Sequence, residues 1–230
     1  MIASCPLALV CIVVVLATTR QVSVSAQASA PTQKPTSAPT YTLQQQDANT
    51  LCQFKENTDS FPKTDDDPSF VGWQCTNTGI ATTQPCPGNS WTGVSCSSTD
   101  NRVIGLNLPN FNLKGSAASA INTLSTLPLQ TLWLPSNALK GTLPNTISTM
   151  IGLYNMSLNQ NQLTGALPIN SLPMDIVYVD LSNNQFKNNL PSLQVNHKKL
   201  NYLNLANNGL KGSLPVINSS SLQILNLEKK

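Results

Sequence analysis

The chain has 230 residues, 40% of them apolar, which is enough to bury a core, and 13 basic against 10 acidic side chains. Charged residues make up only 10%, against about a quarter in an average globular protein, so its surface relies on amides and hydroxyls rather than ion pairs. A net charge of +3 with no basic run gives no ground for a nucleic-acid or anionic-membrane partner.

The first segment, MIASCPLALVCIVVVLATTRQVSVSA, has an apolar stretch from Pro6 to Ala17 and ends on the small-residue pattern Val24-Ser25-Ala26. Residues 1–26 therefore read as a secretory signal cut after Ala26, and the mature protein is expected to be secreted or held at the cell surface. No Lys or Arg precedes the apolar stretch, which keeps an uncleaved anchor open as the alternative. Cys5 and Cys11 would leave with the signal. The four remaining cysteines, Cys52, Cys75, Cys86 and Cys96, are an even set expected to form two disulfides in an oxidising compartment. A zinc site would want short Cys-x-x-Cys pairs and histidines, and the sole histidine, His197, is about a hundred residues away. No metal or other cofactor is expected.

Residues 27–42 are rich in Pro, Thr and Ser and too poor in apolar side chains to offset the entropy of ordering them, so they read as a linker. A cap is expected over 43–98. Leu43, Ala48, Leu51, Cys52 and Phe54 recur at helical intervals, and a Pro- and Asp-rich loop follows. The Asp65-Asp66-Asp67 run lacks the ordered oxygen spacing of a calcium loop and reads as solvated.

From residue 99 to 230 the chain repeats itself. VIGLNLPNFNLKGS, LQTLWLPSNALKGTLP, LYNMSLNQNQLTGALP, IVYVDLSNNQFKNNLP, LNYLNLANNGLKGSLP and a partial LQILNL start at 103, 129, 153, 176, 200 and 222. Steps of 22 to 26 residues and the pattern L-x-x-L-x-L-x-x-N-x-L are those of a leucine-rich repeat, with about five full turns and a partial sixth. The alternating leucines demand a short strand with one buried face, and strands from successive turns stack in parallel. The predicted fold is an α/β solenoid: a leucine-rich repeat horseshoe with a short parallel concave sheet and a disulfide-stapled helical cap at its N-terminus. Asn137, Asn161, Asn184 and Asn208 fall where the chain turns inward and are expected to form a structural ladder of side-chain amides. Phe111 stands at that position in the first repeat, so the ladder is expected one turn later. Asn188 replaces the glycine of the other repeats, as a residue tolerant of a left-handed backbone.

The L-x-G-x-L-P segments, the LCQFK helix and CPGNSWTGVSC together resemble the plant-type leucine-rich repeat extracellular domain with its N-terminal cysteine cap. That architecture is shared by receptor-like kinase ectodomains, polygalacturonase-inhibiting proteins and kinetoplastid surface antigens. Cys86, Trp91, Gly93, Val94 and Cys96 match the cap signature, with three extra residues between Cys86 and Trp91. The resemblance covers about residues 47 to 230. It implies Cys86 paired with Cys96, which leaves Cys52 for Cys75, and extracellular recognition through the concave face.

On that face the outward positions bring forward Trp133, Tyr178, Asp180, Tyr202 and Asn204 as candidate ligand-binding residues for a protein, peptide or glycan. An enzyme is the class least supported. Asp180 has no second carboxylate facing it, His197 is expected on an exposed convex loop, and no kinase motif is present. Sequons at Asn155 and Asn218 are candidate glycosylation sites, Asn155 on the concave face itself. The alternative functions are a structural or adhesive coat glycoprotein and a secreted inhibitor of a wall-degrading enzyme. The repeats stop at LQILNLEKK without a closing cap, so the chain reads as part of a longer receptor-like or surface protein; no membrane span is expected within the mature segment.

Overall fold

The strand leucines of every turn converge on one core. In a computed structural model, which describes residues 41–58, 71–88, 91–190, 197–213 and 220–228, Leu106, Leu132, Met156, Val179 and Leu203 are fully buried. Burying one such side chain contributes about 2 kcal/mol, and the repeat multiplies it along the solenoid. The signal, the linker up to Thr40, the Asp65-Asp66-Asp67 run, Asn218 and Lys229-Lys230 lie outside the described residues.

Helix α1 (Leu43–Glu56) opens the cap, with Thr42 as its N-cap accepting from the Gln45 amide. Its inner side buries Ala48, Leu51, Cys52 and Phe54. Asp47 is buried too, a polar residue among them. Both its oxygens take Arg102, from Nε and Nη2 at 2.8 Å each, and Oδ2 also accepts the Val103 amide at 2.9 Å. One carboxylate thus ties the cap helix to the entry of the first repeat. Disulfides join Cys52 to Cys75 and Cys86 to Cys96. Between them Trp73 and Trp91 pack with ring centroids 5.2 Å apart, each buried, each indole N–H satisfied by Thr92 O and Thr83 Oγ1 respectively. Gly93 has φ +75°, and a Cβ there would run into the Asn107 carbonyl, so only glycine lets the cap approach the first repeat this closely.

Strand β1 (Val94–Cys96) belongs to the cap and pairs antiparallel with β2 (Val103–Asn107). From β2 the concave sheet runs in parallel through β4 (Thr131–Trp133), β6 (Asn155–Ser157), β8 (Tyr178–Asp180), β10 (Tyr202–Asn204) and β12 (Ile224–Asn226). The expected parallel sheet therefore carries one antiparallel strand at its edge, because the cap closes the open hydrogen-bonding edge of the first repeat. Pairing is in strict register: Thr131, Asn155, Tyr178, Tyr202 and Ile224 lie abreast, as do Trp133, Ser157, Asp180, Asn204 and Asn226.

A second sheet was not foreseen. Strands β3 (Lys114–Ser116), β5 (Ala138–Gly141), β7 (Gln162–Gly165), β9 (Gln185–Asn189) and β11 (Gly209–Lys211) form it from the L-x-G segments of the five repeats. The convex side carries helix α2 (Ala117–Leu124) in the first repeat and single 3-10 turns at Asn145–Thr149 and Ile169–Ser171.

Between the two sheets stand the repeat asparagines. Asn161 donates from Nδ2 to Leu134 O of the preceding turn at 3.0 Å and accepts the Leu139 amide at 3.0 Å. Asn137, Asn184 and Asn208 repeat this pattern, accepting from Leu113, Leu163 and Phe186. The residue before each asparagine, Ser136, Gln160, Asn183 or Asn207, has φ near +55°, and the bend it makes aims the next side chain inward. Asn188 has φ +77°.

His197 corrects an expectation. It is 5% exposed rather than on the surface, with Nε2 3.2 Å from Leu172 O of the preceding turn and Nδ1 without a hydrogen bond to any described residue. The segment is the loop that the sequence suggested, but the ring turns inward and packs against the preceding turn instead of facing solvent.

Candidate functional site

Strands β4, β8 and β10 each present an aromatic side chain on the concave face. Trp133 and Tyr178 have ring centroids 5.4 Å apart and planes 27° from parallel; Tyr178 and Tyr202 are 4.4 Å apart and within 4° of parallel. Tyr178 and Tyr202 come from neighbouring strands in register, so their stacking follows directly from strand spacing. Trp133 and Tyr178 come from strands separated by β6, about 9.6 Å apart by strand spacing. Their rings must lean toward each other above β6, which explains why Ser157, nominally on the open face, is only 1% exposed.

Rings stacked this way use their faces on one another and offer edges and phenol groups to solvent. Burial within the stack, then the charge of Asp180 and the neighbouring Tyr202, push the Tyr178 phenol up to about 12. The Tyr178 phenol therefore stays protonated over any physiological range and can donate a hydrogen bond.

Beneath the ring edges lies a polar lattice. Asp180 is 8% exposed, with Oδ1 accepting from the Ser182 amide at 2.9 Å and Ser182 Oγ at 2.7 Å. Its Oδ2 accepts from Asn204 Nδ2 at 3.3 Å, and Asn204 Oδ1 in turn accepts the Ala206 amide. Sequence reasoning placed Asp180 as an acid displayed at mid-face. Its oxygens instead hold the loop after β8 and orient Asn204, so it acts on the face through its neighbours. Asn155 lies abreast of Tyr178 and half-buried, at the flank of the Trp133–Tyr178 contact, where a glycan on its amide would share space with the aromatic row. The five candidate ligand residues thus form one patch across β4 to β10.

Among the described residues no group of three His, Cys, Asp or Glu side chains is placed to hold a metal, and no helix is long and apolar enough to cross a membrane.

No protein-family model matches the chain. Curated relatives from Arabidopsis thaliana do. A probable LRR receptor-like serine/threonine-protein kinase is 42% identical over 85 residues, which is 36% of this chain and 9% of the relative. Receptor-like protein kinase BRI1-like 3 is 39% identical over 133 residues, 46% of this chain and 11% of the relative. The chain thus spans about a tenth of the length of these relatives. Among solved structures, the LRR ectodomain of the Arabidopsis receptor kinase HAESA, in complex with an N-terminally extended IDA peptide hormone, aligns with TM-score 0.64 and 28% identity over 81% of this chain and 29% of that one. The BIR3–SERK2 complex from Arabidopsis thaliana aligns with TM-score 0.60 and 25% identity, covering 80% of this chain and 98% of the other.

Proposed function

We propose, from the premise that this chain is a leucine-rich repeat solenoid of the plant-type ectodomain class with its N-terminal cysteine cap, that it is an extracellular recognition module whose concave face binds an extended peptide. The observation that carries the reading is the aromatic row Trp133–Tyr178–Tyr202, which crosses four strands and is backed by a hydrogen-bonded lattice. Rigid aromatic edges give contact area at little entropic cost, while the phenols and Asn204 supply hydrogen bonds for a peptide backbone. HAESA holding a peptide hormone supports the choice of ligand class, since the two solenoids align over most of this chain.

The test begins with a screen of extracellular peptides against the purified mature chain. Trp133→Ala and Tyr202→Ala are expected to weaken a bound peptide by at least about 2 kcal/mol each, the size of an interface hot spot, without altering the fold. Unchanged affinity in both would remove the concave face as the site.

A second reading has its own support in the sequon at Asn155-Met156-Ser157, which lies on this face. A glycan there would turn the surface into a shield, as in a coat glycoprotein. Mass mapping of the secreted protein separates the two: full occupancy at Asn155 favours the coat, and an empty site favours recognition.

A further inference from the structure

The second sheet carries a feature that concave-face recognition does not use. Lys114, Lys140, Lys187 and Lys211 occupy one and the same repeat position, one residue beyond the buried Leu113, Leu139 and Phe186 and the half-buried Leu210; Thr164 holds it in the third repeat. All four lysines are exposed. In this sheet each strand is displaced by two residues from its neighbour: Lys114 pairs with Ala138, Lys140 with Gln162, Thr164 with Gln185 and Lys187 with Gly209. A shift of two keeps every one of these positions on the same face, because side chains alternate with period two. The lysines therefore climb the outer face as one diagonal stripe.

Among the described residues nothing on that face neutralises them. None of the four makes an ion pair with a described residue, and the five strands contain no Asp or Glu. Between Val103 and Leu227 the chain has just two acids: Asp175, 2.9 Å from Lys199, and Asp180, buried on the concave side. In a protein with only 10% charged residues, four like charges in line without counterions repel one another. A surface built only for solubility would intersperse both signs.

We propose that this stripe binds a linear acidic polysaccharide, its carboxylates facing the lysine ammonium groups. The side chains interleaved with the lysines favour a sugar chain. Ser116, Gln162, Gln185 and Asn189 share the face and offer hydroxyl and amide partners for sugar hydroxyls, and the lysines Lys187 and Lys211 flank a shallow cleft with Asn188 and Asn189. An anionic membrane would call for exposed large aliphatic or aromatic anchors beside the lysines, and the only apolar side chain at the outer positions of these strands is the small Ala138. The stripe spans five strands, so a long chain engages it better than a short one.

The experiment measures binding of the mature protein to polygalacturonate oligomers of graded length, with neutral dextran, poly-glutamate and phosphatidylserine vesicles as parallel probes. The expected result is affinity for polygalacturonate that rises with oligomer length and falls steeply with added salt. Lys187→Gln/Lys211→Gln is expected to weaken it about tenfold or more, and the charge-matched Lys198→Gln/Lys199→Gln by less than about twofold, each with an unchanged melting temperature. An equal response of the two double variants, no binding to polygalacturonate, or equal or stronger binding to vesicles or poly-glutamate would overturn the proposal. Trp133→Ala separates this site from the concave one: it is expected to leave polysaccharide binding intact whatever becomes of the peptide reading.

Discussion

Tyr178 and Tyr202 lie face to face on adjacent concave strands, ring centroids 4.4 Å apart and planes within 4° of parallel. The contact makes the concave row sensitive to alkaline pH. Tyr178 ionises near 10 in an unfolded chain and near 12 in the fold, so its contribution to stability is complete below pH 10 and is lost as pH rises toward 12. Spectrophotometric titration of tyrosinate is expected to show one phenol ionising late, and Tyr178→Phe should abolish that phase. Persistence of the late phase in the variant would assign it to another tyrosine.

Asp47 is tested by Asp47→Asn, which keeps the shape and removes the charge facing Arg102. Leaving a guanidinium at the edge of a buried site without its partner should cost about 3 kcal/mol in urea unfolding. Hydrogen exchange should quicken first in α1, since this carboxylate ties that helix to Val103. A loss spread evenly over the repeats would contradict that local role.

Asn161→Ala is expected to destabilise by about 1–3 kcal/mol, because it strands the buried Leu139 amide, while the Leu134 carbonyl keeps its second donor, Asn137 Nδ2. Asn161→Asp keeps the acceptor and loses the donors, so it should fall short of wild type while still bonding Leu139. Chemical denaturation of both variants, compared at equal pH, reads the difference.

The cap disulfides differ in reach. Cys52 and Cys75 are 23 residues apart, Cys86 and Cys96 only 10. If chain entropy governs, Cys52→Ser/Cys75→Ser should cost about 3 kcal/mol and more than Cys86→Ser/Cys96→Ser. The reverse order in paired melts would point to packing around Trp73 and Trp91 as the dominant effect.

The periodicity alone determined the solenoid. Leucines at alternating positions every 22 to 26 residues leave a strand with one buried face no partner but the next copy of itself, so repeat number and the concave strands were legible from Val103 onward. The cysteine cap was legible through its signature residues, Trp91, Gly93 and Val94 among them. Long-range pairing was not. That Asp47 meets Arg102 across 55 residues, that Trp73 joins Trp91, and that His197 turns inward against Leu172 depend on how turns pack, which no local pattern encodes.

The same divide runs through the two surfaces. Sequence spacing put Trp133, Tyr178 and Tyr202 on one face, while only the tertiary structure decided that Trp133 leans over β6 to stack on Tyr178 and that Asp180 spends its oxygens on Ser182 and Asn204. The lysine of each L-x-G segment was in plain view as a letter. Its meaning came from register: a constant two-residue displacement between strands of the second sheet holds the four ammonium groups on one face, and register is a property of paired strands that a single strand's sequence does not carry.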